Sequence, residues 1–552
     1  MEPSSINPRN GYCSATKTFH TLRENPPLPP ESTPLSITDY VFSLLHSNPD
    51  FSPSSPVLID SATHHSLSYS DFLNRVNSLS HSLSNLYNFP LTSNAVALIL
   101  SPPSFHIPVL YFSLLSIGVI VSPANPLSTQ SELTHLIELA KPSVIFAVSS
   151  ISSKLTSCSS DVPVILLDSP EFESMLTHRV TRPRVTIPQS NSAVILYSSG
   201  TTGRVKGVEL THRNFIALLA GLHHRRMKAI EEEEGTKTRA ISLFFLPLFH
   251  VFGFFMLLRA VAMAETLVLM ARFDFEKMLE TVERYRVTYM PVSPPLMVAF
   301  EKSELTKNYD LSSLEFLGCG GAPLGKEVAQ RFKARFPHVE IGQGYGMTET
   351  GGGAASTVGP EECERYGSVG RLQEHSQAKI VDPSTGEALP PGKEGELWLR
   401  APTIMKGYVG DKDATAATFH PDGWLKTGDL CYFDSDGYLY IVDRLKELIK
   451  YKAYQVAPAE LERLLLSHPE IADAAVVPYP DEEAGEIPMA FVVRKPESSI
   501  TASQVMDYVA KEVSPYKRIR RVAFVGAIPK NPSGKILRRE LVKQATASPS
   551  KL

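Results

Sequence analysis

Short apolar runs of strand length alternate with helix-patterned segments through much of this chain. The runs AVALIL (95–100), SVIFAV (143–148) and AVILY (193–197) are each long enough for one buried strand. The segments SELTHLIELA (131–140) and FEKMLETVERY (275–285) carry apolar residues at helical spacing. Strands that are apolar on both faces and alternate with helices form parallel sheets covered by helices. The sequence therefore predicts an α/β fold.

The length of 552 residues is too great for one compact core, so several domains are expected. The N-terminal part is rich in Ser and Pro and has little periodicity, which predicts an arm over the surface. Near Asp443 the character changes to a basic segment, followed by the helix pattern PAELERLLLSH (458–468) and the strand patterns DAAVVP (473–478) and MAFVVR (489–494). The predicted divisions are an arm (1–55), a large domain of parallel-sheet α/β layers (56–442), a small α+β domain (443–545) and a tail (546–552).

Charge and cysteine content argue against several functional classes. The formal net charge of -4 gives no overall basic bias, so no nucleic-acid partner is predicted. The five cysteines are scattered and include no C-x-x-C pair, which fits neither a disulfide framework nor a zinc site. A reducing compartment at synthesis is the simpler interpretation.

No membrane span or secretory signal is predicted. The first residues lack an apolar core. The apolar stretches 105–121 and 241–258 are interrupted by Pro, His or Gly, whereas a spanning helix needs roughly 20 apolar residues. Both stretches are interpreted as buried strands and helices.

The segment SSGTTGRVKGV (198–208) follows the predicted strand AVILY directly. Its three glycines and four small hydroxyl residues allow a tight loop whose amides point inward, and Lys206 adds a positive charge. Such a loop can surround phosphate oxygens, although the Walker spacing is absent. A plain Ser/Gly turn is the alternative.

Two further segments combine glycines with polar side chains. In GQGYGMTET (342–350), an aromatic face suits a purine, a hydroxyl suits a phosphate oxygen, and Glu349 suits Mg²⁺. In DGWLKTGDL (422–430), Asp429 is expected in a turn, where it could bond its own backbone or bind two ribose hydroxyls.

Two lysine-bearing segments lie near the C-terminus. DRLKELIKYKAYQVAPAE (443–460) is basic, and the turn in NPSGKILRRE (531–540) projects Lys535 from a loop. Taken singly, each segment also fits a solvated basic surface.

Together, these five segments in this order resemble the adenylate-forming superfamily of acyl-CoA synthetases, luciferases and peptide-synthetase adenylation domains. The similarity is greatest to the plant 4-coumarate–CoA ligases and their 4-coumarate ligase-like relatives, which include peroxisomal acyl-CoA ligases. It extends from about residue 30 to about 545. The resemblance implies a large N-terminal domain, a small mobile C-terminal lid, and an active site between them.

The resemblance also implies an AMP-forming acid–CoA ligase that uses ATP, Mg²⁺ and coenzyme A. A carboxylate must attack an anionic α-phosphate, so metal and lysine charges must offset the repulsion. Lys535 would bridge the two anions, Tyr345 would stack on adenine, and Glu349 would bind Mg²⁺. The residues implied for ATP and AMP binding are Ser198, Ser199, Gly200, Thr201, Thr202, Lys206, Gly321, Gln343, Gly344, Tyr345, Thr348, Asp429, Arg444, Lys446, Lys450 and Lys535.

For thioester formation, the family's lid rotates about the position of Lys446. Rotation would withdraw Lys535 and present the face with Lys450 and Gln455. The positions implied for CoA binding are Arg272, Lys452 and Ala453. Ala453 stands where many relatives have glycine, and its methyl group narrows a place where backbone approaches ligand.

The implied acid pocket follows His250. In 4-coumarate ligases the segment after this histidine carries a Tyr and a Ser that meet the phenol end of the substrate, and here Phe252 and Met256 replace them. The nearby run TGGGAAS (350–356) is unusually small and is expected to leave a roomy cavity. The predicted substrate is therefore an apolar acid: a fatty acid, a jasmonate-precursor oxylipin or cinnamate.

The chain ends in Ser550-Lys551-Leu552, a tripeptide that the peroxisomal import receptor recognises at a free C-terminus. The predicted location is the peroxisome. Two alternatives stay open: a 4-coumarate or hydroxycinnamate ligase of phenylpropanoid metabolism, and a luciferase-like adenylating oxygenase.

Overall fold

The computed structural model describes residues 6–85, 91–155, 162–198, 205–232, 239–322, 324–452, 454–531 and 534–547. The strands of these ranges are β1 (Tyr12–Cys13), β2 (Thr18–His20), β3 (Pro56–Asp60), β4 (Ser66–Ser68), β5 (Val96–Leu100), β6 (Ile120–Pro123), β7 (Val144–Ala147), β8 (Val164–Leu166), β9 (Ser192–Ser198), β10 (Lys206–Thr211), β11 (Ile241–Phe244), β12 (Thr266–Leu269), β13 (Tyr289–Val292), β14 (Phe316–Cys319), β15 (Glu340–Tyr345), β16 (Ala355–Ser356), β17 (Arg371–Leu372), β18 (Gln377–Val381), β19 (Gly395–Arg400), β20 (Gly407–Tyr408), β21 (Leu425–Phe433), β22 (Leu439–Arg444), β23 (Ile449–Tyr451), β24 (Tyr454–Val456), β25 (Ile471–Asp481), β26 (Gly485–Arg494) and β27 (Arg521–Phe524).

The helices of the same ranges are α1 (Ile37–Ser47), α2 (Tyr69–Ser84), α3 (His106–Ser116), α4 (Gln130–Ala140), α5 (Ser149–Ser152), α6 (Pro170–Met175), α7 (His212–Glu232), α8 (Val251–Ala262), α9 (Phe275–Tyr285), α10 (Pro294–Lys302), α11 (Lys326–Arg335), α12 (Gly359–Cys363), α13 (Lys412–Thr418), α14 (Pro458–Ser467), α15 (Ala502–Glu512) and α16 (Arg538–Ala547). Short 3₁₀ helices occupy Glu304–Asn308, Thr348–Thr350 and Pro515–Lys517.

Two large sheets, mostly parallel, form the centre of the N-terminal part. One has the order β20-β10-β9-β6-β5-β7-β8, and the other has the order β17-β16-β15-β14-β13-β11-β12-β3-β4. Helices α1, α2, α3 and α8 fill one shared core with apolar side chains of both sheets. A third, antiparallel sheet has the order β1-β2-β18-β19-β21-β22 and its own core.

The predicted strands and helices of the N-terminal part are confirmed. The runs at 95–100, 143–148 and 193–197 form β5, β7 and β9, whose side chains are mostly buried on both faces. The segment 131–140 forms α4, which begins at a capping box between Thr129 and Glu132. The α/β fold class is therefore confirmed.

The segment 1–55 is not an irregular arm throughout. Strands β1 and β2 join the antiparallel sheet, and α1 packs Ile37, Val41 and Leu45 into the core without exposure. Ser36 caps this helix by accepting a hydrogen bond from the Asp39 amide. The Ser/Pro-rich surroundings conceal its helical spacing.

A small sheet carries the C-terminal part of the chain. β24, β23, β26 and β25 pair in that order, and β27 lies parallel to β26. Helices α14 and α15 cover one face of this sheet, and α16 covers the other. The chain passes into this sheet between Arg444, at the end of β22, and Ile449, at the start of β23. We call this part the lid.

The two long apolar stretches form α3 with β6, and β11 with α8. Across the described residues, no helix is both long enough and apolar enough to cross a membrane.

Candidate active site

A cavity of about 350 Å³ lies between the large N-terminal part and the lid. Gly321, Gly344 and Tyr345 line it at the carboxyl ends of parallel strands, the edge where open α/β sheets bind ligands. Asp429 lines it from the antiparallel sheet, and Lys535 lines it from the lid. Arg444 of the segment 443–460 also lines it, so the structure brings residues from four of the five predicted segments to one place.

Asp429 and Tyr345 form the centre of this cavity. The Tyr345 hydroxyl donates a hydrogen bond of 2.5 Å to Asp429 Oδ2, and Arg444 Nε lies 3.5 Å from Asp429 Oδ1. Burial raises the pKa of Asp429, whereas Arg444, the Tyr345 hydrogen bond and Lys535 act in the opposite direction. A carboxylate that is held in this way can accept hydrogen bonds from sugar hydroxyls.

The expectation that Asp429 lies in a turn is wrong. Asp429 belongs to β21 and pairs across the ladder with Arg444 of β22. The preceding Gly428 has a φ of 72°, and the pairing of β21 with β19 shifts register there. A β-bulge often contains a glycine, as a turn does, so the sequence alone does not distinguish the two.

Lys535 is positioned by a tight turn. Its amide donates to Asn531 Oδ1 at 2.8 Å, and the Gly534 amide donates to the Asn531 carbonyl at 2.9 Å. Gly534 has a φ of 83°, which favours glycine. A Cβ at Gly534 would lie 3.2 Å from Ser293 Oγ of the large domain, so this turn closes against the opposite side of the cleft.

The charge of Lys535 lowers the pKa of Asp429, which lines the cavity, and the pKa of His250, which precedes α8. Burial and the nearby Arg444 lower the pKa of Lys535 to about 8.

The acyl-AMP formation that the sequence resemblance implies is therefore expected to decline as the pH rises through about 8, because only the ammonium form of Lys535 offsets the charge of two anions. The measurement is kcat/KM of the adenylation half-reaction without CoA, which reports the pKa of the free enzyme. Lys535→Arg, which stays charged, should remove this alkaline decline. A profile that keeps the decline near pH 8 in Lys535→Arg would assign it to another group.

A second cluster brings the phosphate-loop segment to Glu349. Glu349 Oε1 accepts a hydrogen bond of 2.9 Å from the Tyr408 hydroxyl, and Ser198 Oγ lies 3.4 Å from the same oxygen. Lys206 Nζ lies 4.4 Å from the centre of the Tyr408 ring. The predicted phosphate residues Ser199, Gly200, Thr201 and Thr202 lie outside the described residues.

The Glu349 carboxylate fits a magnesium ligand. It is 7% exposed, and among the described residues its Oε2 accepts no hydrogen bond. Mg²⁺ is usually held by one or two carboxylates together with substrate phosphates and water. Glu349 would supply the carboxylate beside the phosphate-loop segment, and the bound ion would offset the charge of the phosphates.

The predicted acid-pocket residues lie on and before α8. His250 is the N-cap residue of α8, and burial lowers its pKa to about 4, with Lys535 adding to the effect. The Phe252 ring lies 3.5 Å from where a Cβ of Gly320 would stand, next to Gly321 of the cavity. Met256 is buried on the same helix. None of these three residues is among those that line the described cavity, so the acid pocket after His250 stays a prediction.

The expectation of a roomy cavity around residues 350–356 stays a prediction. A Cβ at Gly353 would come within 3.0 Å of Leu218, whereas one at Gly351 or Gly352 would meet nothing closer than 3.4 Å. The run is therefore closely packed only at Gly353.

Several implied residues do not line the cavity. Gln343 and Thr348 are buried and do not line the cavity, and the Gln343 main-chain N–H donates to Thr357 Oγ1 at 2.9 Å. Of the CoA and lid positions, Ala453 lies outside the described residues, and Gln455 is placed only as part of β24. The exposed positions are Arg272, Lys446, Lys450 and Lys452.

Sequence analysis missed a charged cluster on the lid side of the cavity. Arg538 pairs with Glu447 at 2.8 Å and with Glu462 at 2.5 Å. Asp443 Oδ2 accepts the Ala459 amide at 2.8 Å, which caps α14 in place of the apolar residue Ala457. The sequence gives only a weak signal for this cluster, because its residues are far apart in the chain and charged residues are common on helices.

Comparisons with known proteins agree with this architecture. Residues 46–409 match the AMP-binding enzyme family, and residues 460–535 match the C-terminal domain of AMP-binding enzymes. The structure of ATP-bound MatB from Rhodopseudomonas palustris superimposes with a TM-score of 0.81 at 25% identity, covering 92% of this chain and 99% of that chain.

Among curated proteins, 4-coumarate–CoA ligase-like 9 of Arabidopsis thaliana is 57% identical, over 98% of this chain and 97% of its own length. Peroxisomal OPC-8:0-CoA ligase 1 of the same plant is 42% identical, over 99% of each chain. The chain therefore belongs to the family of AMP-binding, adenylate-forming enzymes, within its group of AMP-forming acid–CoA ligases.

Proposed function

We propose that this chain activates an apolar carboxylic acid as an acyl-AMP and then passes the acyl group to coenzyme A. The position of Lys535 is the observation that carries the proposal. Its ammonium lies within electrostatic reach of both Asp429 and His250, where the phosphate and the carboxylate would meet. A buried cation at this point suits a reaction between two anions.

In the first step, Tyr345 would stack on adenine, and Asp429 with Arg444 would bind the ribose. Ser198 and Lys206 would hold phosphate oxygens together with the loop that follows Ser198. Glu349 would hold Mg²⁺. Lys535 would bridge the acid carboxylate and the α-phosphate, and the products would be acyl-AMP and pyrophosphate.

In the second step, the lid would rotate at Lys446 and place Lys450 and Gln455 at the cavity. Lys450 is exposed on β23 and is the register partner of Gln455 on β24. An exposed lysine suits the phosphates of CoA. The CoA thiolate would displace AMP from the acyl group.

The apolar substrate is proposed from the residues that follow His250 on α8. Phe252 and Met256 offer no hydroxyl to a phenol group, and Met256 is buried. The names of two relatives point to different acids, 4-coumarate and OPC-8:0. A hydroxycinnamate ligase is therefore the first competing proposal. A luciferase-like oxygenase is the second competing proposal.

An AMP-release screen tests the proposed function. Aromatic, fatty and oxylipin acids are supplied with ATP and CoA, and AMP and thioester are measured together with oxygen uptake and light. Equal amounts of AMP and thioester with an apolar acid support the proposal. Oxygen uptake or light would favour the oxygenase, and AMP without thioester would exclude a CoA ligase.

We also propose that the chain is imported into peroxisomes through Ser550-Lys551-Leu552, which lies outside the described residues. A fluorescent protein fused ahead of residue 1 is expected in peroxisomes, and deletion of the tripeptide should leave it diffuse. A C-terminal fusion masks the tripeptide and should also stay diffuse. Import that persists after the deletion contradicts this proposal.

A further inference from the structure

Tyr408 lies between two groups of opposite charge that the reaction needs. Its hydroxyl donates to Glu349 Oε1 at 2.9 Å, and its ring faces Lys206 Nζ at 4.4 Å from the ring centre. Among the described residues no ion pair joins Lys206 to Glu349, although both contact Tyr408. Tyr408 therefore contacts each charge by a different part of its side chain.

The backbone fixes Tyr408 in this position. β20 pairs antiparallel with β10, the strand that begins at Lys206. The Tyr408 amide donates to Thr415 Oγ1 at 2.9 Å, and the Met405 amide donates to the main-chain carbonyl of Glu349 at 2.9 Å. The strand that carries Tyr408 is thus tied to the segments of both charged residues.

The separation of these charges has a chemical consequence. A lysine in contact with Glu349 would occupy the carboxylate that a metal ion needs and would lose part of its attraction for phosphate. The aromatic ring attracts the ammonium to its face, and the hydroxyl orients the carboxylate by a charge-assisted hydrogen bond. Both charges are then kept available for a metal–nucleotide complex.

We propose that Tyr408 is a positioning residue that holds Glu349 for the metal ion and prevents Lys206 from pairing with it. This inference rests on the proposed role of Glu349 as the Mg²⁺ ligand. It assigns to Tyr408 a role in metal–ATP binding that the phosphate-loop segment alone does not provide. Tyr408 touches neither reacting atom in this arrangement, so its effect is exerted through its two neighbours.

Two variants separate the two contacts. Tyr408→Phe keeps the ring and removes the hydroxyl, and it should weaken metal binding about tenfold, as the loss of a group that orients a metal ligand typically does. Tyr408→Leu also removes the ring and should weaken binding further. The probe is Mn²⁺, titrated by electron paramagnetic resonance in the presence of α,β-methylene ATP, which needs no turnover.

The second half-reaction is the internal control. Conversion of supplied acyl-AMP and CoA to thioester needs no metal–ATP complex, so it should be unchanged in Tyr408→Phe. Tyr432→Phe changes a tyrosine of β21 whose ring stacks on Tyr440, and it should bind Mn²⁺ as the unchanged protein does. A Tm within about 2 °C of the unchanged protein shows that each variant is folded.

Unchanged Mn²⁺ affinity in Tyr408→Phe overturns the role of the hydroxyl, and equal affinity of the Phe and Leu variants overturns the role of the ring. If Tyr408→Phe unfolds, Glu349→Gln and Lys206→Met replace it. The inference then requires that Lys206→Met binds Mn²⁺ without nucleotide no more tightly than the unchanged protein does, because Lys206 does not pair with Glu349 in the unchanged protein. Absence of thioester with every acid would instead refute the proposed function and leave the Mn²⁺ result standing.

Discussion

Replacing Lys535 with alanine is expected to reduce acyl-AMP formation about 10²- to 10³-fold. Lys535 is half-buried and lines the cavity, and its charge lowers the pKa of both Asp429 and His250. Conversion of supplied acyl-AMP to thioester should be retained, because the two anions have already reacted. The measurements are ATP–pyrophosphate exchange for the first step and thioester formation from synthetic acyl-AMP for the second.

Lys450→Ala is expected to show the reverse pattern. Lys450 lies on β23 of the lid and is exposed, so in this orientation it does not line the cavity. Lys543→Ala, an exposed lysine on α16 of the same lid, is the matched control and should retain both half-reactions. Equal failure of Lys535→Ala and Lys450→Ala in both half-reactions would contradict alternation of the lid.

The fold could be predicted from the sequence where apolar runs are long and uninterrupted. Strands β5, β7 and β9 have burial on both faces, so their sequences consist almost only of apolar residues. Helix α1 was missed because prolines and serines surround it, although Val41 and Leu45 have helical spacing. The local composition of this segment therefore predicted an irregular arm, whereas its buried apolar side chains belong to a helix.

The candidate site was predictable where one segment carries its own chemistry, as around Tyr345 and Lys535. Tyr408 was not predictable, because its contacts are with Glu349 and Lys206, which are distant in sequence. The small residues at 350–356 are ambiguous in another way. Glycine allows another group to come close to the backbone. The sequence does not show whether that group is a ligand or another part of the chain.

Cinnamate is expected to be preferred over 4-coumarate about tenfold to a hundredfold in kcat/KM. The two acids differ by one hydroxyl, and Phe252 and Met256 offer that hydroxyl no partner. A buried hydroxyl without a hydrogen bond costs roughly 1 to 3 kcal/mol, which corresponds to this ratio. Fatty acids and jasmonate-precursor oxylipins avoid the same penalty, because they carry no phenol hydroxyl.

A competition assay with cinnamate, 4-coumarate, a fatty acid and a jasmonate precursor measures this preference directly. Phe252→Tyr is the matched variant, because it adds one hydroxyl to the ring that lies beside Gly320. It should improve kcat/KM for 4-coumarate relative to cinnamate, since the phenol hydroxyl then gains a partner. A clear preference of the unchanged protein for 4-coumarate would mean that a backbone carbonyl or an ordered water already satisfies the phenol. The substrate proposal would then pass to the hydroxycinnamates.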